Sequence, residues 1–202
     1  MPTSGAGHYF ERDPAAPSAP SAVTLALPDL TVRLATDRGV FSAGEVDAGT
    51  RYLLLEAPPP PATGTLLDLG CGYGPIAVAL ARRSPGATVW AVDVNRRALE
   101  LCRANAAAAG APNVVVAPPD EVPAGVRFDG LWSNPPVRIG KAALHDLLGR
   151  WLARLAPGAE GWLVVHKHLG SDSLARWLDG EGWAVERRGS RGGYRLLRVA
   201  AG

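Results

Sequence analysis

From Thr65 onward the chain alternates short apolar runs with segments whose apolar positions recur every three or four residues. That alternation predicts repeated βαβ units, and hence a largely parallel sheet with helices packed on its faces. The predicted strands are TLLDL (65–69), TVWAVD (88–93), NVVVA (113–117), FDGLWS (128–133) and GWLVVHK (161–167). Helical spacing fills 75–83, 96–109 and 141–155 between them. Further on, SLARWLDGEG reads as a helix, and WAVERRG and YRLLRVA as two strands around the glycine-rich turn SRGG. Seven strands are therefore available to one sheet.

The preceding residues follow another pattern. PAAPSAPSA (14–22) is an extended connection by composition, and VTLALP (23–28) and LTVRLATD (30–37) form a small β element closed by the turn-like DRG. A short helix is expected over 50–56, and the proline run from Pro58 to Pro61 forbids its continuation. The expected organisation is an N-terminal segment, 1–60, followed by one domain over 61–202.

Composition narrows the class. At 202 residues and 47% hydrophobic content the chain can bury a sizeable core. No apolar run approaches the roughly 18 residues of a membrane span, and the N-terminus lacks the basic and apolar regions of a signal peptide, so a cytoplasmic protein is expected. Cys71 and Cys102 belong to no CxxC or Cys/His cluster, which gives no metal site and fits a reducing compartment. A net charge of +2 permits a nucleic-acid partner without demanding one.

The chemistry begins at LLDLGCGYGP (66–75), a strand, a glycine turn and a helix opened by Pro75. Gly70, Gly72 and Gly74 let a ligand approach the backbone at the carboxyl end of the sheet. The spacing is G-x-G-x-G rather than the G-x-G-x-x-G of a dinucleotide site, and Asp68 stands just before it. A carboxylate suits a cationic ligand better than a pyrophosphate. Asp93 follows at the end of the next strand, about 25 residues on, where an acid reaches a ribose. Alone, the glycine turn would also serve close strand-to-helix packing, and Cys71 and Tyr73 read as loop filler; the two acids favour a ligand with an ammonium and a ribose diol.

DLGCGYG followed by VDVN resembles the cofactor-binding half of the class I S-adenosylmethionine-dependent methyltransferases, over most of 41–200. The resemblance implies an α/β, Rossmann-like, doubly wound and mainly parallel seven-stranded sheet with a reversed last strand and a small N-terminal β extension. It places Asp68, Gly70 and Gly72 on the methionine side, Asp93 on the ribose hydroxyls, and Asn95 and Asp120 near the adenine. A solvated loop acid is the alternative reading of Asp120.

SNPP (133–136), at the end of the fourth strand, supplies no strong base. Methylating an exocyclic amino group calls instead for acceptors that orient its N–H bonds and free the nitrogen lone pair. Asn134 Oδ1 and the Pro135 carbonyl qualify, and Pro135 and Pro136 stiffen the segment. The motif is similar to the (Asn/Asp/Ser)-Pro-Pro signature of amino-group N-methyltransferases, with Val137 where those families usually carry an aromatic residue. The longer match NPPVRIGK, with HYF (8–10), GVFS (39–42) and DAGTRYLLL (47–55), resembles the methyltransferase small-domain family related to bacterial ribosomal RNA guanine-N2 methyltransferases. It implies guanine N2 of 16S-type ribosomal RNA as acceptor, the small ribosomal subunit as partner, and an N-terminal segment that covers the cofactor pocket with Phe41 and Thr50. A protein glutamine or DNA adenine-N6 methyltransferase shares the proline motif, and a non-catalytic RNA-binding protein could keep the scaffold.

Arg138, Lys141 and Lys167 are candidate contacts to RNA phosphates, beside His166 and His168. Arg187, Arg188, Arg191 and Arg195 form a second basic cluster, Tyr194 is a candidate base platform, and His8 with Tyr9 could cap the pocket. Each of these arginines has a bland alternative as a solvating surface charge. Trp132, Trp162 and Trp183 read as core.

Overall fold

The computed structural model of the protein describes residues 16–202, so the expectations attached to HYF and to His8 and Tyr9 lie outside the described residues. Two strands, β1 (Ser21–Leu27) and β2 (Leu30–Thr36), form an antiparallel hairpin closed between Leu27 and Leu30. Helix α1 (Ala48–Glu56) follows, capped at its start by the Asp47 side chain. It stops at Ala57, just before the proline run.

The main sheet contains β3 (Thr63–Leu69), β4 (Gly86–Val92), β5 (Val114–Ala117), β6 (Phe128–Ser133), β7 (Leu155–His166), β8 (Trp183–Arg191) and β9 (Tyr194–Ala201). Its order is β5-β4-β3-β6-β7-β9-β8. Pairs among β3 to β7 are parallel, and β9 runs antiparallel to both β7 and β8. The reversed strand is thus the last in sequence, but it sits inside the sheet rather than at its edge. The helices are α2 (Pro75–Arg83), α3 (Arg96–Ala108), α4 (Lys141–Leu152) and α5 (Ser171–Gly180).

Two apolar layers cover the two faces of this sheet. On one face the hairpin residues Val23, Leu25 and Leu34 and the α1 residues Tyr52 and Leu53 pack with α2 and α3. On the other, α4 and α5 supply Leu148, Trp151, Leu174 and Leu178. The near-continuous burial of Leu66 to Leu69 is what a central parallel strand requires, since both its faces meet helices. Trp132 and Trp162 are buried and Trp183 packs against the second layer, as expected of core residues.

Most boundaries fall within two residues of the sequence pattern; the largest difference is at the entry to β7. Helix α4 ends at Leu152 rather than 155, and β7 begins at Leu155 rather than at 161. LAPGAE carries neither period in its sequence; its strand geometry comes from pairing beside β6, across a register shift between Phe128 and Gly130.

Side chains fasten the hairpin layer to the carboxyl edge of the sheet. Buried Asn105 of α3 accepts from the Ala35 N–H at 2.7 Å and donates to the Ala35 carbonyl at 2.8 Å and the Tyr73 carbonyl at 2.7 Å. It behaves as a short stretch of strand edge, joining β2 to the glycine turn. Asn95 caps α3 through the Ala98 N–H and donates to the Gly39 carbonyl at 3.0 Å.

Candidate active site

A cavity of about 320 Å³ opens at the carboxyl ends of β3, β4, β6 and β7. Ligands of open α/β sheets bind at this edge because the loops leaving adjacent strands diverge there. Among the residues singled out from sequence, Phe41, Thr50, Gly70, Gly72, Asp93, Asn95, Asn134, Pro135, Pro136 and Arg138 line it. Asp68, Gly74, Asp120, Lys141 and Lys167 do not.

The glycine turn is held by the end of β4. The N–H groups of Gly70 and Cys71 both donate to the Val92 carbonyl, at 2.8 and 3.0 Å. Gly70, Gly72 and Gly74 have φ of +75°, +55° and +96°, a region that other residues enter only under strain. Gly74 is also a packing position, since a Cβ there would lie 2.7 Å from Cys102 Sγ.

Asp93 closes this loop. Its Oδ2 accepts from the Gly72 N–H and its Oδ1 from the Asn95 N–H, both at 2.9 Å. Each oxygen keeps a lone pair for a ligand hydroxyl. Burial raises the Asp93 carboxyl above its ordinary value, against the pull of the Asn95, Gly72 and Val94 N–H groups.

Asp68 lies behind the turn, fully buried. Pro75 has no N–H and Gly74 offers no side-chain cap, so the first turn of α2 needs an acceptor from elsewhere. Asp68 Oδ2 provides it, accepting from the Ala77 N–H at 2.8 Å. Its Oδ1 has no hydrogen-bond partner among the described residues. Burial pushes the carboxyl up to about 8; the Ala77 N–H opposes the rise and the Asp93 charge adds to it. An orphaned buried carboxyl oxygen behind the loop and a second acid at its lip fit a ligand bearing an ammonium and a ribose diol.

The remaining wall comes from the end of β6. Ser133 donates to the Leu69 carbonyl at 2.6 Å, which makes the serine of SNPP an anchor between strands. Asn134 Nδ2 donates to Asp47 Oδ1 at 2.7 Å and to Thr50 Oγ1 at 3.1 Å, while its Oδ1 is without a partner among the described residues. The Pro135 carbonyl already accepts from the Val137 N–H at 2.8 Å, and Pro136 between them has φ −74° and ψ 67°. This is an inverse γ-turn, which leaves the carbonyl one further lone pair.

Sequence reasoning missed Asp47 as a site residue. The local signal, an acid before a short helix, identifies a cap and nothing more. Tyr194, expected as a base platform, instead lines the cavity with its hydroxyl donating to Asp47 Oδ2 at 3.1 Å and its ring edge-on to His166. Tyr73, assigned only to filling the turn, also lines the cavity and buries a hydroxyl that has no partner among the described residues. Burial raises that hydroxyl's pKa, and the Asp47 charge raises it further.

Pro119 rather than the exposed Asp120 reaches the cavity on the β5 side. Arg138 lies exposed on the rim, with Lys141 and Lys167 exposed beyond it. Among the described residues there is no group of three or more His, Cys, Asp or Glu that could hold a metal, and no helix long and apolar enough to cross a membrane.

Comparison with known proteins agrees with this geometry. Residues 31–198 match the family model of the methyltransferase small domain. The Bacillus subtilis protein YbxB is 34% identical over 175 residues, covering 85% of this chain and 87% of that protein. A ribosomal RNA small subunit methyltransferase C of Shewanella amazonensis is 34% identical over 157 residues, 75% of this chain and 46% of its own length. The Thermus thermophilus 16S rRNA N2 G1207 methyltransferase, solved with AdoMet and guanosine, superposes with a TM-score of 0.78 at 25% identity over 92% of this chain and 51% of that one. The chain thus spans about half the length of these ribosomal RNA enzymes and most of the length of YbxB.

Proposed function

The chain belongs to the methyltransferase small domain family, and we propose that it methylates the N2 amino group of a guanine in small-subunit ribosomal RNA. It is an S-adenosylmethionine-dependent methyltransferase. When bound, that cofactor supplies an electrophilic methyl group on a sulfonium sulfur.

The residues divide the work along the cavity. Asp93, preset by two backbone N–H groups, takes the ribose hydroxyls, and Phe41 and Val94, both exposed at the cavity, flank the adenine. Asp68, buried behind the turn with Oδ1 uncommitted among the described residues, backs the end of the cavity that receives the ammonium. At the other end, Asn134 Oδ1 and the spare lone pair of the Pro135 carbonyl accept the two N–H bonds of the acceptor amine. Fixing those bonds directs the nitrogen lone pair away from ring conjugation and toward the methyl carbon. Arg138, Lys141 and Lys167 meet phosphates around the target nucleotide.

The observation that carries this reading is Asn134: a neutral acceptor with an uncommitted oxygen, set at the cavity the two acid-bearing strands share. The named activities of the Shewanella and Thermus relatives support ribosomal RNA as the substrate class. The test is to offer isotope-labelled cofactor with stripped small subunits, free 16S RNA, DNA and a release-factor-like protein, followed by mass spectrometry of the products. Labelled N2-methylguanine in RNA is expected. Label in protein glutamine or in DNA adenine would overturn the acceptor assignment.

A further inference from the structure

Asp47 caps α1, but its carboxylate reaches well beyond the cap. Oδ1 accepts from the Thr50 N–H at 3.0 Å and from Asn134 Nδ2 at 2.7 Å, and Oδ2 accepts from the Tyr194 hydroxyl at 3.1 Å. Gly49 keeps this arrangement open, because a Cβ there would run into the Tyr194 ring. A primary amide has nearly the same shape when turned over, so packing alone does not fix which end points where. Hydrogen bonding does: an ionised carboxylate only accepts, and charge-assisted bonds are the stronger kind.

We propose that Asp47 is a positioning residue whose carboxylate dictates which end of the Asn134 amide faces the acceptor. With the NH2 end held by Asp47 and Thr50, the oxygen is left for the incoming amine. The reversed amide would set N–H groups against N–H groups and deny the acceptor its orientation. The meaning of "acceptor" rests on the function proposed above; the orientation of the amide does not.

Two substitutions separate this role from helix capping. Asp47→Ser keeps a good cap for α1 but is too short to reach Asn134 or Tyr194. Asp47→Asn keeps an oxygen for both Thr50 and Asn134. The expected result is turnover within about threefold of the parent for Asp47→Asn, and a fall of about tenfold or more in kcat for Asp47→Ser, on the scale of lost orientation. Cofactor affinity by calorimetry and the melting temperature should hold in both. In an Asn134→Ala background, Asp47→Ser should cost nothing further.

A second readout needs no acceptor. In 15N spectra the Asn134 side-chain amide protons should exchange slowly in the parent and in Asp47→Asn, and rapidly in Asp47→Ser. Slow exchange and full kcat in Asp47→Ser overturn the proposal. So does an Asp47→Asn loss as deep as that of Asp47→Ser with the amide still protected, which would assign Asp47 a role through its charge. If the parent labels no RNA, the acceptor assignment falls while amide exchange still decides this question.

Discussion

The two ends of the cavity are built by opposite strategies. At the end proposed for the cofactor, each acid accepts from backbone N–H groups of the glycine turn or a nearby helix start: Asp68 from Ala77, nine residues on, and Asp93 from Asn95, two residues on, and Gly72, 21 residues back. At the end proposed for the acceptor, side chains bind side chains across the fold, with Asn134 lying 87 residues from Asp47 and Tyr194 lying 147. The first end is preset by local chain geometry and asks little of the rest of the molecule. The second exists only when α1, β6 and β9 have all packed. Binding of the cofactor and alignment of the acceptor should therefore fail separately.

Three measurements press on that separation. Asn134→Ala strikes the acceptor end alone: kcat should fall by about 10² or more, the scale of one lost preorganised polar contact, with cofactor affinity within about twofold by calorimetry. Parallel loss of both would show that the two ends are one unit. Asp93→Ala strikes the other end, removing the acceptor of the Gly72 and Asn95 N–H groups as well as the ribose contact proposed above. Cofactor affinity should drop about 30-fold, as expected for hydrogen bonds to a charged group, with kcat at saturation changed only a few-fold.

The third and smallest effect concerns Asp68. Its folded carboxyl, raised to about 8, keeps a proton that the unfolded chain releases near pH 4. The folded state thus binds more protons across that window, so the stability this proton confers is complete at low pH and drains away as pH rises toward 8. Between pH 6 and 8 the cofactor-free protein should lose about 1–2 kcal/mol in urea unfolding. Asp68→Asn, which still offers an oxygen to Ala77, should flatten that dependence. An unchanged slope in the variant would remove Asp68 as its source.

The same contrast governs what the sequence discloses. FDGLWS starts and stops where β6 does, and Pro75 and Arg83 bound α2 as their spacing indicates, because apolar period and proline act within a few residues. The glycine turn and its two acids are legible for the same reason. The entry into β7 is not, since LAPGAE becomes strand only beside Phe128. Neither is Asp47: nothing between Val46 and Thr50 reports that an amide and a phenol from distant segments will converge there. Likewise, the hydrogen bond that engages the Pro135 carbonyl with Val137 is a property of the turn, visible only once Pro136 takes its angles.

Strand β9 lies between β7 and β8, though it is made after both. While synthesis has not yet reached Tyr194, β8 has no neighbour to pair with and Asp47 lacks its phenolic partner. The same strand that supplies β8 with its partner also carries the tyrosine that bonds Asp47. In a nascent chain the edge that carries Asp68 and Asp93 is thus complete in sequence about a hundred residues before the partner that holds Asp47 is made.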